Sequence, residues 1–163
     1  MALPPPSLKG RALRLLSGRE HSRMELERKL KPHEESPGLL AKALDELQAK
    51  GFINEQRVIE SVVHRRSVKL GAVRIRQELQ SMGLDAGAVK NAVSDLRATE
   101  LDRALVIWRK KFGALLPATG LTQATSAAER DRQMRFLASR GFGADTIRRV
   151  VAGGSDNQEP VPD

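Results

Sequence analysis

The chain has 163 residues, 40% of them hydrophobic and only 3% aromatic, which suits one domain, or several small modules, of packed helices better than a β-sandwich. It contains no cysteine, which excludes disulfides, thiolate metal sites and cysteine nucleophiles. Lys and Arg number 28 against 20 Asp and Glu, a formal net charge of +8 that favours a polyanionic partner, although solubility alone explains many basic proteins of this size.

Helical periodicity recurs along the chain, and no segment shows the alternation of a strand. Residues 40–47 and 89–96 carry apolar side chains at i, i+3, i+4 and i+7, the stripe of an amphipathic helix. These and similar stripes predict an all-α protein of nine helices, at about residues 8–18, 22–31, 37–50, 55–69, 72–82, 86–97, 99–112, 127–140 and 144–152.

Start and stop signals frame the predicted helices. Ser22 and Ser126 each precede a glutamate by three residues, as in a capping box, and Ser36 before Pro37 predicts an N-cap followed by an N1 proline. Further starts are predicted at Asn54-Glu55, Asp85 and Thr99, and helix-ending glycines at Gly51, Gly83, Gly113 and Gly141.

The helices repeat in groups of three. Aligning residues 79–84 (LQSMGL) with residues 137–142 (LASRGF) also places Val89 on Ile147, so a leucine, a helix-ending glycine and two apolar anchors recur at equal offsets. We expect three tandem three-helix repeats that support one another in an elongated, curved, solenoid-like chain. The expected repeats are 8–50, 54–97 and 99–152, with a loop at 114–125, a disordered N-terminal tail at 1–7 and a disordered acidic tail at 153–163.

Motifs for catalysis are missing. The sequence has no P-loop, GxGxxG, HExxH or GxSxG, and His21, His33 and His64 stand apart without metal-ligand spacing. His21, just before a capping serine, is interpreted as a turn residue. We therefore expect a binding protein with no catalytic residue, metal or cofactor. The start MALPPPSLKG lacks the apolar run of a signal peptide, and no stretch approaches the roughly 20 apolar residues of a membrane span, so a cytoplasmic location is expected.

Basic residues without acidic neighbours mark residues 64–76 (HRRSVKLGAVRIR), here called the basic segment. It is predicted to span a helix end, a glycine turn and the next helix start, with Val73 and Ile75 facing the core. Such a segment contacts phosphates or acidic protein surfaces, or is an ordinary solvated face. Residues 109–111 (RKK) form a second cluster, which helix capping also explains. Trp108 lies on an apolar stripe, so a core role is favoured over base stacking.

Three stretches, in chain order, match one family pattern. The most specific is residues 51–57 (GFINEQR) followed by Arg66 and residues 71–79 (GAVRIRQEL), ending at Gly83. The others are residues 14–22 (RLLSGREHS) with 25–30 (ELERKL), and residues 135–142 (RFLASRGF) with Ile147. Together these stretches resemble the RecX family of regulatory proteins, which act on the recombinase RecA. Departures from the family pattern are Asn54, Val58, Ala72 and Met82 and a shortened turn at residues 69–71.

The resemblance implies a helical-repeat monomer that binds RecA and the RecA–single-stranded-DNA filament. It implies inhibition or modulation of filament growth, ATPase, strand exchange and co-protease activity, and so a role in recombination, DNA repair and SOS control. From the residues themselves we expect weak nonspecific DNA binding, because no helix presents the Asn, Gln and Arg set of base-edge readout. An autonomous DNA- or RNA-binding helical module and a general assembly adaptor remain the alternatives. The residues expected to contact the partner are Arg57, Arg65, Arg66, Lys69, Arg74, Arg76, Arg109, Lys110 and Lys111.

Overall fold

The computed structural model describes residues 6–113 and 126–152, and all regular structure in these ranges is helical. The all-α prediction is therefore confirmed for the described part of the chain. Besides a short 3₁₀ turn at Lys31–His33, it contains nine α-helices: α1 (Leu8–Gly18), α2 (Arg23–Leu30), α3 (Leu39–Ala49), α4 (Glu55–Ser67), α5 (Ala72–Ser81), α6 (Ala86–Ala98), α7 (Glu100–Phe112), α8 (Ala127–Ser139) and α9 (Ala144–Val151). The predicted loop at 114–125, the predicted tail at 153–163 and residues 1–5 of the predicted N-terminal tail lie outside the described residues.

Most of the predicted helix ends are confirmed by their hydrogen bonds. Ser22 and Glu25 form the complete capping box at the start of α2. The Asn54 side-chain oxygen accepts from the Arg57 N–H, and an Asp85 carboxylate oxygen accepts from the Ala88 N–H, which caps α4 and α6. The φ angles of Gly51, Gly83 and Gly141 are 76°, 67° and 79°. This left-handed conformation is common just after a helix, and glycine adopts it most easily.

One predicted helix start is wrong, and one predicted helix-ending glycine lacks the expected left-handed conformation. The helix α3 begins at Leu39, with Gly38 as its N-cap, and not at Pro37 after a capping serine. A glutamate from outside the helix replaces the serine, because Glu34 Oε1 accepts from the Gly38 and Leu40 N–H groups. Gly113 ends α7 with a right-handed φ of −61°, so this position has no conformational need for glycine.

The described residues fall into two compact units. Those within Met1–Val62 and Glu78–Val89 form the first unit, and those within Val63–Gln77 and Lys90–Asp163 form the second. The helices α4, α5 and α6 each contribute to both. The predicted bounds of the three repeats stay a prediction.

In the first unit, α1, α2 and α3 pack against one another in pairs. Their shared core is aliphatic and includes Leu26, Leu44 and Leu47, which are fully buried. His21 lies at the α1–α2 turn with only 3% of its surface exposed, and its Nδ1 donates to the Arg19 carbonyl oxygen at 3.0 Å, which confirms its interpretation as a turn residue. Burial of these apolar side chains stabilises helices that would be marginal alone.

In the second unit, α7, α8 and α9 also pack in pairs. Trp108 is 2% exposed, lies in their core and donates its indole N–H to Gln133 Oε1 at 3.0 Å. The core role predicted for Trp108 is confirmed, and base stacking by this side chain is excluded by its burial.

None of the described helices is long and apolar enough to cross a membrane.

Candidate partner-binding site

The basic segment occupies the end of α4, the following turn and the first turns of α5, all within the second unit. Lys69 is exposed on the turn, and Arg74 and Arg76 are exposed on α5. Among the described residues, no acidic side chain pairs with any of these three. Arg65 and Arg66 are exposed on the last turns of α4. Positive charge therefore lines a continuous stretch of backbone.

Arg103, on the first turns of α7, holds the turn that carries Lys69. Its guanidinium donates to the carbonyl oxygens of Ser67 and Leu70 at 3.0 and 2.8 Å, and to that of Leu96 at 2.9 Å. The Ser67 and Leu96 carbonyls lie in the last turns of α4 and α6, where a helix leaves its acceptors without partners, and Leu70 lies in the turn after α4. Burial lowers the pKa of Arg103 from its ordinary value, against the opposing effect of the Glu100 carboxylate. One guanidinium thus supplies hydrogen-bond donors at the ends of two helices.

Glu100, one turn earlier on α7, holds the start of α5. Its side chain is only 6% exposed, and its Oε1 accepts from the Ala72 N–H at 2.8 Å. Its other oxygen accepts from the Gly143 N–H at 3.3 Å and the Thr146 hydroxyl at 3.1 Å, at the start of α9. A buried carboxylate at two helix N-termini accepts from N–H groups that lack partners within their helices. Its negative charge also interacts favourably with the positive ends of both helix dipoles.

Two glycines bring the backbones of the basic segment and the α8–α9 turn together. The Gly71 N–H donates to the Arg140 carbonyl at 2.8 Å, and the Val73 N–H donates to the Gly141 carbonyl at 3.1 Å. A Cβ at Gly71 would overlap the Gly141 backbone, and a Cβ at Gly141 would lie 2.5 Å from Arg74 Cβ. Only glycine allows this approach, which fixes the position of Arg74.

The structure corrects the expected orientation of Val73. Its exposed fraction is 44%, whereas Ile75 is fully buried. Alternation of apolar and basic residues places them on opposite faces of a strand, but α5 is a helix, and its buried stripe runs through Ala72, Ile75 and Leu79. Val68, beside Lys69 on the turn, is 66% exposed. The surface of the basic segment is therefore mixed, with two valines among the cations.

The other predicted contact residues differ in position. Residues 109–111 are exposed on the last turn of α7, in the same unit as the basic segment, where their charge also favours the helix dipole. Arg57 belongs to the first unit, and its guanidinium donates to Glu20 Oε1 at 2.8 Å and to the Gly51 and Phe52 carbonyls. Because these bonds hold its own turn together, we leave Arg57 outside the proposed contact surface.

Chemically, this arrangement can bind anionic groups. Arginines held on a fixed backbone need no further backbone ordering on binding, and each can bridge two carboxylate or phosphate oxygens. Among the described residues there is no group of three His, Cys, Asp or Glu side chains that could hold a metal ion.

The two residues that hold the site together were not singled out from the sequence. Glu100 and Arg103 have the spacing of an ordinary solvated helix turn, yet their partners lie up to 46 residues away. The only local signal is that Glu100 directly follows a predicted helix start.

Comparison with known proteins agrees with the resemblance seen in the sequence. The model of the third RecX three-helix domain matches residues 98–151, and that of the first matches residues 9–47. The regulatory protein RecX of Leptothrix cholodnii is 51% identical over 148 residues, which cover 91% of this chain and 89% of the relative. That of Ralstonia nicotianae is 41% identical over 167 residues, covering 99% of this chain and 100% of the relative.

Solved structures show the same fold at lower identity. The crystal structure of RecX from Lactobacillus salivarius has a TM-score of 0.70 at 19% identity, with 88% of this chain and 92% of that chain covered. With the two family domains and close relatives over nearly its full length, the chain belongs to the RecX family of regulatory proteins.

Proposed function

We propose that the protein is a monomeric, cytoplasmic regulator that binds the RecA recombinase and its single-stranded-DNA filament. It inhibits or modulates filament growth, ATPase, strand exchange and co-protease activity, without a cofactor or catalysis of its own. Membership of the RecX family supports the identity of the partner. The observation that carries the proposal at the level of residues is the exposed, acid-free basic segment held on a buried framework by Glu100 and Arg103.

Binding through this segment suits a partner that offers carboxylates or phosphates at regular intervals. Each bidentate arginine contact is charge-assisted and stronger than a neutral hydrogen bond. Because the contacts are also electrostatic, affinity should fall as salt rises. Weak contacts of this kind add up on a filament, where neighbouring subunits present the same groups repeatedly.

The test is the ATPase activity of preformed RecA filaments on single-stranded DNA, measured while the purified protein is added. Substoichiometric amounts should slow hydrolysis, since a bound regulator affects filament growth and not one subunit only. Unchanged hydrolysis in the presence of a large molar excess would refute the proposal.

Binding to naked DNA separates this proposal from an autonomous nucleic-acid reader. A specific reader would reach nanomolar dissociation constants at physiological salt. We expect much weaker binding that disappears at higher salt, because the basic segment lacks the Asn and Gln side chains used in base readout. Tight binding to naked DNA together with unaffected RecA filaments would favour the reader.

A further inference from the structure

The two exposed valines of the basic segment are not accounted for by packing or by phosphate binding. Val68 is 66% exposed on the turn, and Val73 is 44% exposed on the first turn of α5. Glycine, asparagine, aspartate and serine are the common turn residues, so the turn itself does not require a valine at 68. Single exposed valines are ordinary, but each of these two lies directly before a cation, Lys69 or Arg74, on one short stretch.

The neighbouring charges determine what can cover these valines. Residues 64–76 contain five Lys and Arg and no acid, so a covering surface must carry negative charge. A nucleic-acid backbone supplies the charge but has no aliphatic groups, and its bases stack on aromatic rings. The segment has no Phe, Tyr or Trp. An acidic protein segment with aliphatic side chains supplies both the charge and the apolar contact.

The framework under the valines makes them suitable for binding. Arg103 holds the carbonyls on both sides of Val68, at Ser67 and Leu70, and the Val73 N–H is held by Gly141. Their backbone is therefore ordered before a partner arrives, and docking on such a surface costs little conformational entropy. Arginine around a small apolar centre is also the composition typical of protein interfaces.

From these observations we infer that the surface formed by Val68, Lys69, Val73, Arg74 and Arg76 is a docking site for an acidic protein segment with aliphatic side chains, and not for nucleic acid. The valines contribute apolar contact, and the cations contribute charge pairing and orientation. The inference rests on the proposed function for the identity of the protein that carries the segment, but its chemistry can be tested separately.

The first experiment uses two synthetic peptides of equal length and charge, one of Asp, Glu and Ser only and one with two of its serines replaced by leucines. The leucine peptide should bind the full-length protein about tenfold more tightly, equivalent to about 1.4 kcal/mol. Val68→Ser with Val73→Ser should remove that difference and leave the binding of the serine peptide unchanged. Val106, which is 64% exposed on α7, gives the matched control Val106→Ser, which should behave as the unaltered protein.

The second experiment uses RecA filaments and naked single-stranded DNA. The double valine variant should weaken filament binding by at least about tenfold without changing its binding to naked DNA, because even partial burial of the two valines on docking contributes at least this much. Equal affinity of the two peptides for the unaltered protein, or an equal effect of the valine variant and Val106→Ser, would overturn the inference. If the peptides differ as expected but RecA ATPase is unaffected, the docking site stands and the proposed function fails.

Discussion

Replacing Glu100 should weaken the contact that holds the starts of α5 and α9 to α7. Glutamine is the sharpest perturbation, because it keeps the size of the side chain and one acceptor oxygen. That oxygen can still accept from the Ala72 N–H, but the amide nitrogen would then face the Gly143 N–H, which is a donor as well. Thr146 can rotate its hydroxyl to accept, whereas the Gly143 N–H cannot adapt and loses its partner.

The expected cost follows from these contacts. A donor left without a partner in a protein interior costs about 1–3 kcal/mol, and hydrogen bonds to a charged group contribute about 1.5–3 kcal/mol each. Allowing for relaxation, Glu100→Gln should lower the free energy of unfolding by about 2 kcal/mol, and Glu100→Ala by about 3–5 kcal/mol. A typical small domain has only about 5–15 kcal/mol in total.

Urea unfolding followed by the fluorescence of Trp108 measures this cost, because Trp108 is the single tryptophan and is buried in the same unit. Asp102→Asn is the matched control, since Asp102 is an exposed acid on the first turn of the same helix. It should cost about 0.5 kcal/mol through the helix dipole alone. Equal effects of Glu100→Gln and Asp102→Asn would show that the carboxylate does not hold the two helix starts.

Two further variants test the backbone contact and the buried histidine. Gly141→Ala should destabilise the protein by at least about 2 kcal/mol in urea unfolding, because φ is +79° and the new Cβ would lie 2.5 Å from Arg74 Cβ. Gly18 has open space around it, so the control Gly18→Ala should be neutral or stabilising. An equal loss of stability in both variants would contradict the close approach of the two backbones. Burial lowers the pKa of His21 below its ordinary value of 6.5, so its contribution to stability is complete above pH 6.5 and is lost as pH falls toward the lower pKa of the folded state. The melting temperature should therefore fall more between pH 7.5 and about 5.5 in the unaltered protein than in His21→Asn, and parallel curves would contradict this reasoning.

The sequence predicts helices well where the determining interactions are local. Periodic apolar residues, the capping box at Ser22 and the glycines that need a positive φ all act within a few residues, so helix positions can be predicted from them. The sequence does not reveal the start of α3, because Glu34, and not Ser36, supplies the acceptor for its first N–H groups, and both residues are plausible caps from sequence alone.

The candidate site can be predicted only in part, because some of its determining contacts are not local. Its charge is evident from residues 64–76, but the arrangement that holds it depends on Glu100 and Arg103, whose partners come from distant helices. The exposure of Val73 was also missed, because an alternating pattern at a helix start resembles a core-facing strand pattern. Tertiary contacts, which no local pattern encodes, decide these features.

The most direct test of the central claim is inhibition of RecA filament ATPase by Arg74→Glu with Arg76→Glu, compared with Arg130→Glu with Arg132→Glu. Both pairs are exposed near the start of a helix in the second unit, have the same spacing and change the net charge equally. The first pair should abolish inhibition with nearly unchanged helicity and melting temperature, while the second should retain it. Equal inhibition by both variants would contradict the assignment of partner binding to the basic segment.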